Sequence, residues 1–117
     1  MAVRFENDLC PEISCLAEKI INTDSTQGCP SELTILGESG RPAGCMSTCS
    51  KFGNPRDCCT ANSPYGTPET CTMSDYSIRL KNVCPNIYTY AFDDSAGTFT
   101  CNLKGQTVMT VEFCPQA

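Results

Sequence analysis

Cysteine is the residue type of this sequence with the widest choice of chemistry, because eleven cysteines occur in 117 residues. Structural zinc sites favour cysteine pairs separated by two to four residues, often together with histidine. This sequence has no histidine and no Cys-x-x-Cys pair. We therefore expect no metal and no cofactor, and we favour disulfides formed in an oxidising compartment, where such a cysteine density is usual.

The adjacent residues Cys58 and Cys59 are a special case. A disulfide between neighbouring cysteines would strain the peptide between them, so the two sulfurs should reach different partners and staple their loop at one point. An odd number of cysteines also leaves one residue without a partner in the chain, which is unusual for a secreted protein.

Carboxylates and aromatic rings are the other groups that could carry out catalysis or bind a ligand. Glycoside hydrolysis uses two carboxylates, and Asp93 and Asp94 are adjacent. They precede Ser-Ala-Gly between two β-type runs, however, and we interpret them as turn residues. Tyr88, Tyr90 and Phe92 alternate along the chain. They could stack on a sugar, but this pattern is more typical of a half-buried strand.

The charge balance disfavours several classes of partner. Thirteen acidic against eight basic residues give a net charge of −5, and without a basic cluster the phosphate contacts that drive nucleic-acid binding are missing. No apolar run approaches the roughly 18 residues that span a bilayer. We expect no nucleic-acid partner and no membrane span. The N-terminus turns acidic at once, so we expect no signal peptide within this sequence.

One helix stands out among the elements that must position these residues. Ser74 is a good N-cap, Tyr76, Leu80 and Val83 form an apolar stripe, and Pro85 ends the segment. Thr-, Tyr-, Phe- and Val-rich runs at 87–92, 98–103 and 107–113 predict three strands after it.

The first part of the chain predicts shorter elements. The segment 13–21 has helical spacing, and 32–36 alternates as a strand does. A helix over 44–52 would place Cys45 and Cys49 one turn apart on the same face. Residues 53–70 are rich in Pro, Gly, Asn, Thr and Ser, which predicts a loop held by cysteines.

The order of short motifs is distinctive over nearly the whole chain from Cys10 onward. The motifs are Gly28-Cys29-Pro30, Gly44-Cys45 followed by Cys49, Cys58-Cys59, Pro68-Glu69-Thr70-Cys71, Asp75-Tyr76-Ser77, Cys84-Pro85, Tyr88-Thr89-Tyr90, Asp93-Asp94, Phe99-Thr100-Cys101 and Phe113-Cys114-Pro115. Together they resemble the C-terminal half of the thaumatin-like family, also called pathogenesis-related group 5.

The resemblance implies a mainly β, disulfide-rich fold with short helices, a partial thaumatin-like fold with an incomplete antiparallel β-sandwich. Residues 1–117 would be a single truncated domain, with a disulfide-rich helix and loop region at 10–84 and C-terminal strands at 87–115. It also implies five disulfides, Cys10–Cys101, Cys15–Cys84, Cys29–Cys45, Cys49–Cys58 and Cys59–Cys71. Cys114 stays unpaired, because its counterpart in the family pairs with an N-terminal cysteine that this sequence lacks.

The resemblance further implies a secreted, extracellular protein of antifungal defence that binds β-1,3-glucan or another microbial cell-wall polysaccharide. In the family the supposed site is an acidic cleft, and most of its charged residues lie in the half that this sequence lacks. The acidic residue that follows Cys-Pro in the family is Asn86 in this sequence, and an amide does not exchange a proton as a carboxyl does.

We therefore take Asn86, Tyr88 and Tyr90 as candidate glycan-binding residues of a non-catalytic chain. Two alternatives stay open: a weak endo-β-1,3-glucanase whose carboxylates lie in a missing N-terminal half, and an inactive fragment. The C-terminal strands would lack their neighbours, so we also expect self-association through unpaired strand edges and Cys114.

Overall fold

Two small antiparallel sheets and five short helices, joined by disulfides, make up the described part of the fold. The computed structural model describes residues 1–6, 10–21, 27–101 and 107–116. The helices, in chain order, are α1 (Ala17–Ile21), α2 (Thr48–Phe52), α3 (Pro55–Cys58), α4 (Asp75–Val83) and α5 (Asp94–Gly97). The strands are β1 (Ala2–Phe5), β2 (Ile13–Ser14), β3 (Thr34–Leu36), β4 (Pro42–Cys45) and β5 (Met109–Glu112). This content confirms the predicted class of strands and short helices held by disulfides.

The first sheet joins the two ends of the described chain in the order β2-β1-β5. Strand β5 (Met-Thr-Val-Glu) alternates apolar and polar residues, the period of a strand with one apolar face. Strand β1 (Ala-Val-Arg-Phe) has Val3 and Phe5 on one side and buries Ala2 on the other. Their antiparallel register places Val3 opposite Val111 and Phe5 opposite Met109. The sequence pattern had predicted no strand at residues 2–5, and β1 gives β5 the neighbour that we had expected it to lack.

The second sheet is a hairpin of β3 and β4, preceded by a 3₁₀ turn at Ser31–Leu33. The connection turns at Gly40, whose φ of 74° suits glycine. The strand predicted at 32–36 is therefore shorter than expected. A single helix over 44–52 was wrong, because Cys45 ends β4 while Ser47 caps α2, which carries Cys49.

Helix caps in the sequence determine where the helices begin. The side chains of Ser47, Asn54 and Ser74 accept hydrogen bonds from backbone N–H groups three residues later, which satisfies donors that a helix N-terminus leaves open. The cap at Ser74 confirms the predicted helix as α4, which ends at Val83 before Cys84 and Pro85. The cap at Asn54 starts α3 inside the segment that we had predicted to be loop.

Two of the three strands predicted after α4 were wrong in the described ranges. Residues 87–92 form turns and irregular loop, and 98–101 have no regular structure, while 102–103 lie outside the described residues. The third run, 107–113, contains β5. Residues 87–92 have a composition typical of strands, but the segment forms turn hydrogen bonds instead, such as the one from the N–H of Asp93 to the carbonyl of Tyr90.

Most of the buried apolar side chains in the described structure are cysteines. Its buried apolar side chains are Ala2, Leu33 and five cysteines, namely Cys10, Cys29, Cys59, Cys71 and Cys84. The radius of gyration is 16.3 Å, against about 13 Å for a compact domain of similar size. The extents of 45 × 40 × 22 Å show a flattened shape, and disulfides replace much of the apolar core that a compact domain would have.

The disulfides of the structure are the five pairs that the resemblance implies, Cys10–Cys101, Cys15–Cys84, Cys29–Cys45, Cys49–Cys58 and Cys59–Cys71. Cys58 and Cys59 diverge to different partners, and Cys59 adopts a left-handed φ of 47° where the chain leaves α3. Cys114 is a free, exposed cysteine.

Alkylation of the unreduced protein should label Cys114 and leave the other ten cysteines untouched, because those ten are bonded in pairs. Iodoacetamide treatment followed by peptide mass mapping measures this. The Cys114→Ser variant is the control and should take no label. Recovery of Cys114 in an intrachain disulfide would show a different pairing.

Candidate functional site

An open groove lies between the first sheet and the chain that follows α4. Its volume is about 490 Å³, within the range of small-ligand sites. Residues of both walls line it, among them Val3 and Ile13 from the sheet and Asn86, Ile87, Tyr88 and Phe99 from the opposite wall. The lining is largely apolar, and Asn86 and Tyr88 are two of its polar groups.

The disulfide Cys15–Cys84 connects the two walls of this groove. Cys15 directly follows β2 and lines the groove, and Cys84 lies between α4 and the segment 85–93. The sheet and this segment therefore cannot separate far without breaking a covalent bond, so the groove is held in shape by the same bonds that hold the fold.

Tyr88 forms an aromatic platform that is fixed at both ends. A Cβ atom built on Gly97 would lie 2.2 Å from Cδ2 of Tyr88, so the ring packs directly against Gly97 and would have to move for any larger residue there. The phenol oxygen donates to Oδ1 of Asp94 at 2.5 Å and approaches the carbonyl of Ala91 at 3.3 Å. Tyr88 as a residue is nevertheless 50% exposed, which leaves surface for a ligand.

The hydrogen bond to Asp94, followed by burial and the negative charges of Asp94 and Asp93, raises the pKa of Tyr88 to about 12. The phenol therefore stays neutral and donating throughout the physiological range. Asp94 in turn is engaged as an acceptor for this phenol, and the ring is presented to the groove as an uncharged surface.

The structure brings two of the three candidate residues together. Asn86 is half-buried and lines the groove beside Tyr88, where its amide can both donate and accept hydrogen bonds. Tyr90 does not line the groove, and its backbone carbonyl takes part in a turn with Asp93 instead. The alternation that had suggested a shared face for Tyr88 and Tyr90 does not apply, because the segment is not a strand.

A buried ion pair fixes the segment that carries Asn86 and Tyr88. Oδ2 of Asp93 lies 2.8 Å from Nζ of Lys81 and accepts from both N–H and Oγ1 of Thr89 at 2.8 Å. Lys81 also donates to the carbonyl oxygen of Ile87 at 2.5 Å. Because these contacts connect the last turn of α4 with residues 87–93, they position the groove wall.

Burial alone would raise the pKa of Asp93, but the hydrogen bonds from Lys81 and Thr89 outweigh it and lower the pKa below 3.8. Sequence analysis had placed Asp93 and Asp94 in a turn and missed this role. Asp93 is 2% exposed and precedes the single-turn helix α5. Nothing local in the sequence indicates its partner, because Lys81 lies on the preceding helix.

Both carboxylates beside the groove segment already accept hydrogen bonds from neighbouring side chains. Asp93 is bound to Lys81 and Thr89, and Asp94 accepts from Tyr88. Among the described residues, no group of three or more His, Cys, Asp or Glu side chains is placed to hold a metal ion. In the same ranges, no helix has the length and apolar character that crossing a membrane requires.

Comparisons with known proteins extend the resemblance seen in the sequence. A family model described as the thaumatin family matches residues 1–115. A glucan endo-1,3-beta-glucosidase of Prunus avium is 49% identical over 87 residues, which cover 74% of this chain and 34% of that protein. Thaumatin-like protein 1 of Pyrus pyrifolia is 43% identical over 115 residues, covering 98% of this chain and 43% of the relative.

A PR5-like receptor kinase of Arabidopsis thaliana is 40% identical over 108 residues, covering 91% of this chain and 15% of the kinase. The chain thus spans less than half the length of each of these relatives. The motifs, the five disulfides and a family match over residues 1–115 lead to one conclusion, that this chain belongs to the thaumatin family.

Proposed function

We propose that this chain is a secreted defence protein that binds β-1,3-glucan of microbial cell walls in the groove beside Tyr88 without hydrolysing it. The observation that carries the proposal is the fixed, half-exposed ring of Tyr88 next to the amide of Asn86. Protein sites recognise sugars through flat aromatic faces and amide or hydroxyl groups that match sugar hydroxyls. The relative named glucan endo-1,3-beta-glucosidase supports glucan as the ligand.

Binding without hydrolysis follows from the chemistry of the groove wall. Asn86 occupies the position where the family resemblance implies an acidic residue, and an amide is neither a general acid nor a nucleophile. The nearby carboxylates of Asp93 and Asp94 already accept hydrogen bonds from Lys81, Thr89 and Tyr88. Secretion agrees with the five disulfides, which persist in oxidising compartments.

Replacement of Tyr88 should weaken glucan binding. We expect Tyr88→Ala to raise the dissociation constant for laminarin, a soluble β-1,3-glucan, by about tenfold, since truncating a central aromatic contact commonly costs more than about 1 kcal/mol. Gly97→Ala should have a similar effect, because its Cβ would displace the ring. Tyr88→Phe should retain most of the affinity. Isothermal titration calorimetry measures all three.

Tyr76→Ala is the matched control for this experiment. Tyr76 also donates its phenol to a carboxylate, that of Glu32, but it lies on α4 outside the groove lining. Its replacement should leave laminarin affinity unchanged. Equal affinity of the wild-type protein and Tyr88→Ala would place the glucan site elsewhere, and absence of binding by the wild type would reject the proposal.

The second candidate is weak endo-β-1,3-glucanase activity, which the name of the Prunus avium relative favours. Incubation of the purified chain with laminarin, followed by an assay of new reducing ends, separates the two functions. Under our proposal the chain binds laminarin and releases no reducing ends above the buffer rate. Turnover that copurifies with the chain through successive chromatography steps would favour the enzyme.

A further inference from the structure

A second, smaller pocket continues the groove beyond Phe99. Its volume is about 230 Å³, and it shares three lining residues with the groove, namely Val3, Ile13 and Phe99. The disulfide Cys10–Cys101 lies in its wall. The groove and this second cavity, which we call the side pocket, therefore meet at the three shared side chains.

Three segments of the chain pass from the groove to the side pocket in a consistent order. On the first segment, Met1 lines only the groove, Val3 lines both cavities and Phe5 lines only the side pocket. The same order is found from Ser14 through Ile13 to Pro11 and from Gly97 through Phe99 to Thr100. The two cavities thus lie in line along the strands, and Phe5 is about 7 Å further along β1 than Val3.

The two cavities differ in polarity. The groove presents the amide of Asn86 and the phenol of Tyr88, which can bond to hydroxyl groups. The side pocket adds Phe5 and Pro11 to the three shared apolar side chains, with Thr100 as a polar exception. One end of the combined site is therefore suited to a sugar and the other end to hydrocarbon.

The charge of the lining restricts the ligand further. Among the described residues that line the groove or the side pocket, none has a charged side chain. A carboxylate or an ammonium group buried in the site would lose its water and find no partner of opposite charge. A ligand that fits both cavities is therefore neutral, with hydroxyl groups at one end and an apolar tail at the other.

We propose that this site binds β-glucosides with an apolar aglycone, the part of a glucoside other than the sugar. The glucosyl unit lies beside Asn86 and Tyr88, and the aglycone enters the side pocket past Phe99. The inference rests on the proposed function for its sugar end and extends the ligand class of the same groove. A methylene occupies roughly the volume of a water molecule, about 30 Å³, so the side pocket has room for roughly seven of them.

The length of the aglycone should determine the affinity. Each methylene that is fully buried should tighten binding by about three- to fourfold, the equivalent of about 0.8 kcal/mol. Burial in an open pocket is partial, so we expect octyl β-glucoside to bind at least tenfold more tightly than butyl β-glucoside. The gain should end between octyl and dodecyl, because longer tails leave the filled side pocket.

The test is an NMR titration of the isotopically labelled full chain with methyl, butyl, octyl and dodecyl β-glucosides, each below its critical micelle concentration. Two further octyl compounds isolate the contribution of the sugar. Octanoate has a charged carboxylate, and an octyl polyether has a neutral head without a sugar. Both should bind more weakly than octyl β-glucoside, and laminarin is titrated in parallel.

Variants separate the two ends of the site. Tyr88→Ala should weaken binding of all the glucosides by a similar factor and leave the gain per methylene unchanged. Thr100→Trp should remove that gain, because Thr100 is exposed and lines the side pocket, which an indole would fill. Phe5→Leu should enlarge the side pocket, so the gain should continue to longer tails than in the wild type.

Phe52→Leu is the matched control for Phe5→Leu. Phe52 lies on α2, is 43% exposed and lines neither cavity. Its replacement should leave the dependence on tail length as it is in the wild type. The NMR spectra and disulfide mapping establish that each variant is folded, and Thr100→Trp tests the side pocket even if Phe5→Leu is not.

A gain with tail length that Thr100→Trp removes and Phe52→Leu preserves supports the inference. Equal affinity of butyl and octyl β-glucoside in a chain that binds laminarin overturns it and leaves the proposed function in place. Equal affinity for octyl β-glucoside and the octyl polyether also overturns it, because the tail would then bind without the sugar. A gain that neither Thr100→Trp nor Phe5→Leu alters would place the tail elsewhere and overturn it as well. The laminarin titration decides the proposed function separately.

Discussion

Reduction of the five disulfides is expected to abolish the cooperative unfolding transition of this chain. The bridge between Cys10 and Cys101 spans a sequence separation of 91 and that between Cys15 and Cys84 one of 69. In the chain-entropy model a loop of the first size contributes about 4–5 kcal/mol, and a small domain has only about 5–15 kcal/mol of net stability. Cysteines also supply five of the seven buried apolar side chains in the described ranges, so little apolar core remains without them.

Thermal unfolding followed by circular dichroism, with and without a reducing agent, measures this effect. Cys114→Ser is the control and should match the wild type, since Cys114 makes no bridge. Removing only the Cys10–Cys101 bridge by a double serine substitution should lower the midpoint strongly and leave the other four bridges in place. A reduced protein that melts cooperatively near the temperature of the oxidised protein would show that the disulfides are not the main source of stability.

Elements with local signals could be predicted from the sequence, and elements that depend on distant partners could not. Helix α4 carries its own cap, Ser74, and its own terminator, Pro85, so its bounds follow from neighbouring residues. Strand β1 has only four residues, and its pairing partner β5 lies more than a hundred positions away. Residues 87–92 have strand-like composition, yet Lys81 and Asp93 fold them into a compact loop.

The candidate site divides in the same way. Asn86 was accessible through the family resemblance and Tyr88 through the alternating aromatic residues, and both line one groove. The contact of Tyr88 with Gly97 could not be predicted, because the glycine belongs to a four-residue helix for which the sequence pattern gives no signal. Tyr90 was misplaced by the assumption of a regular strand. The disulfide pairs, too, came from the resemblance, since spacing alone leaves many connectivities open.

The second large effect is expected from breaking the ion pair between Lys81 and Asp93. Their side chains are 12% and 2% exposed. Removal of one partner of a buried pair leaves an uncompensated charge and costs about 3–5 kcal/mol, and we expect the lower end of that range because Lys81 retains some contact with water. Asp93→Ala and Lys81→Met should each lower the melting temperature by about 10 °C or more.

The pH dependence has a definite sign. The pKa of Asp93 is lowered in the folded state from a usual value of 3.8, so the folded chain favours the ionised carboxylate. The resulting stability is fully present above pH 3.8 and is lost as the pH falls below it through the lower folded pKa. Asp93→Asn should be less stable than the wild type at neutral pH, and the difference should shrink on acidification.

A double-mutant cycle of Asp93→Ala and Lys81→Met, followed by urea unfolding at about pH 7 and about pH 3, tests both statements. The double variant should be more stable than additivity predicts, because it leaves no unpaired buried charge. The same pair anchors the loop of Asn86 and Tyr88, so the single variants should also bind laminarin more weakly at temperatures where they remain folded. Additive losses, or a pH-independent difference between Asp93→Asn and the wild type, would mean that the two charges do not act as a pair and that the groove wall is held by the disulfide Cys15–Cys84 alone.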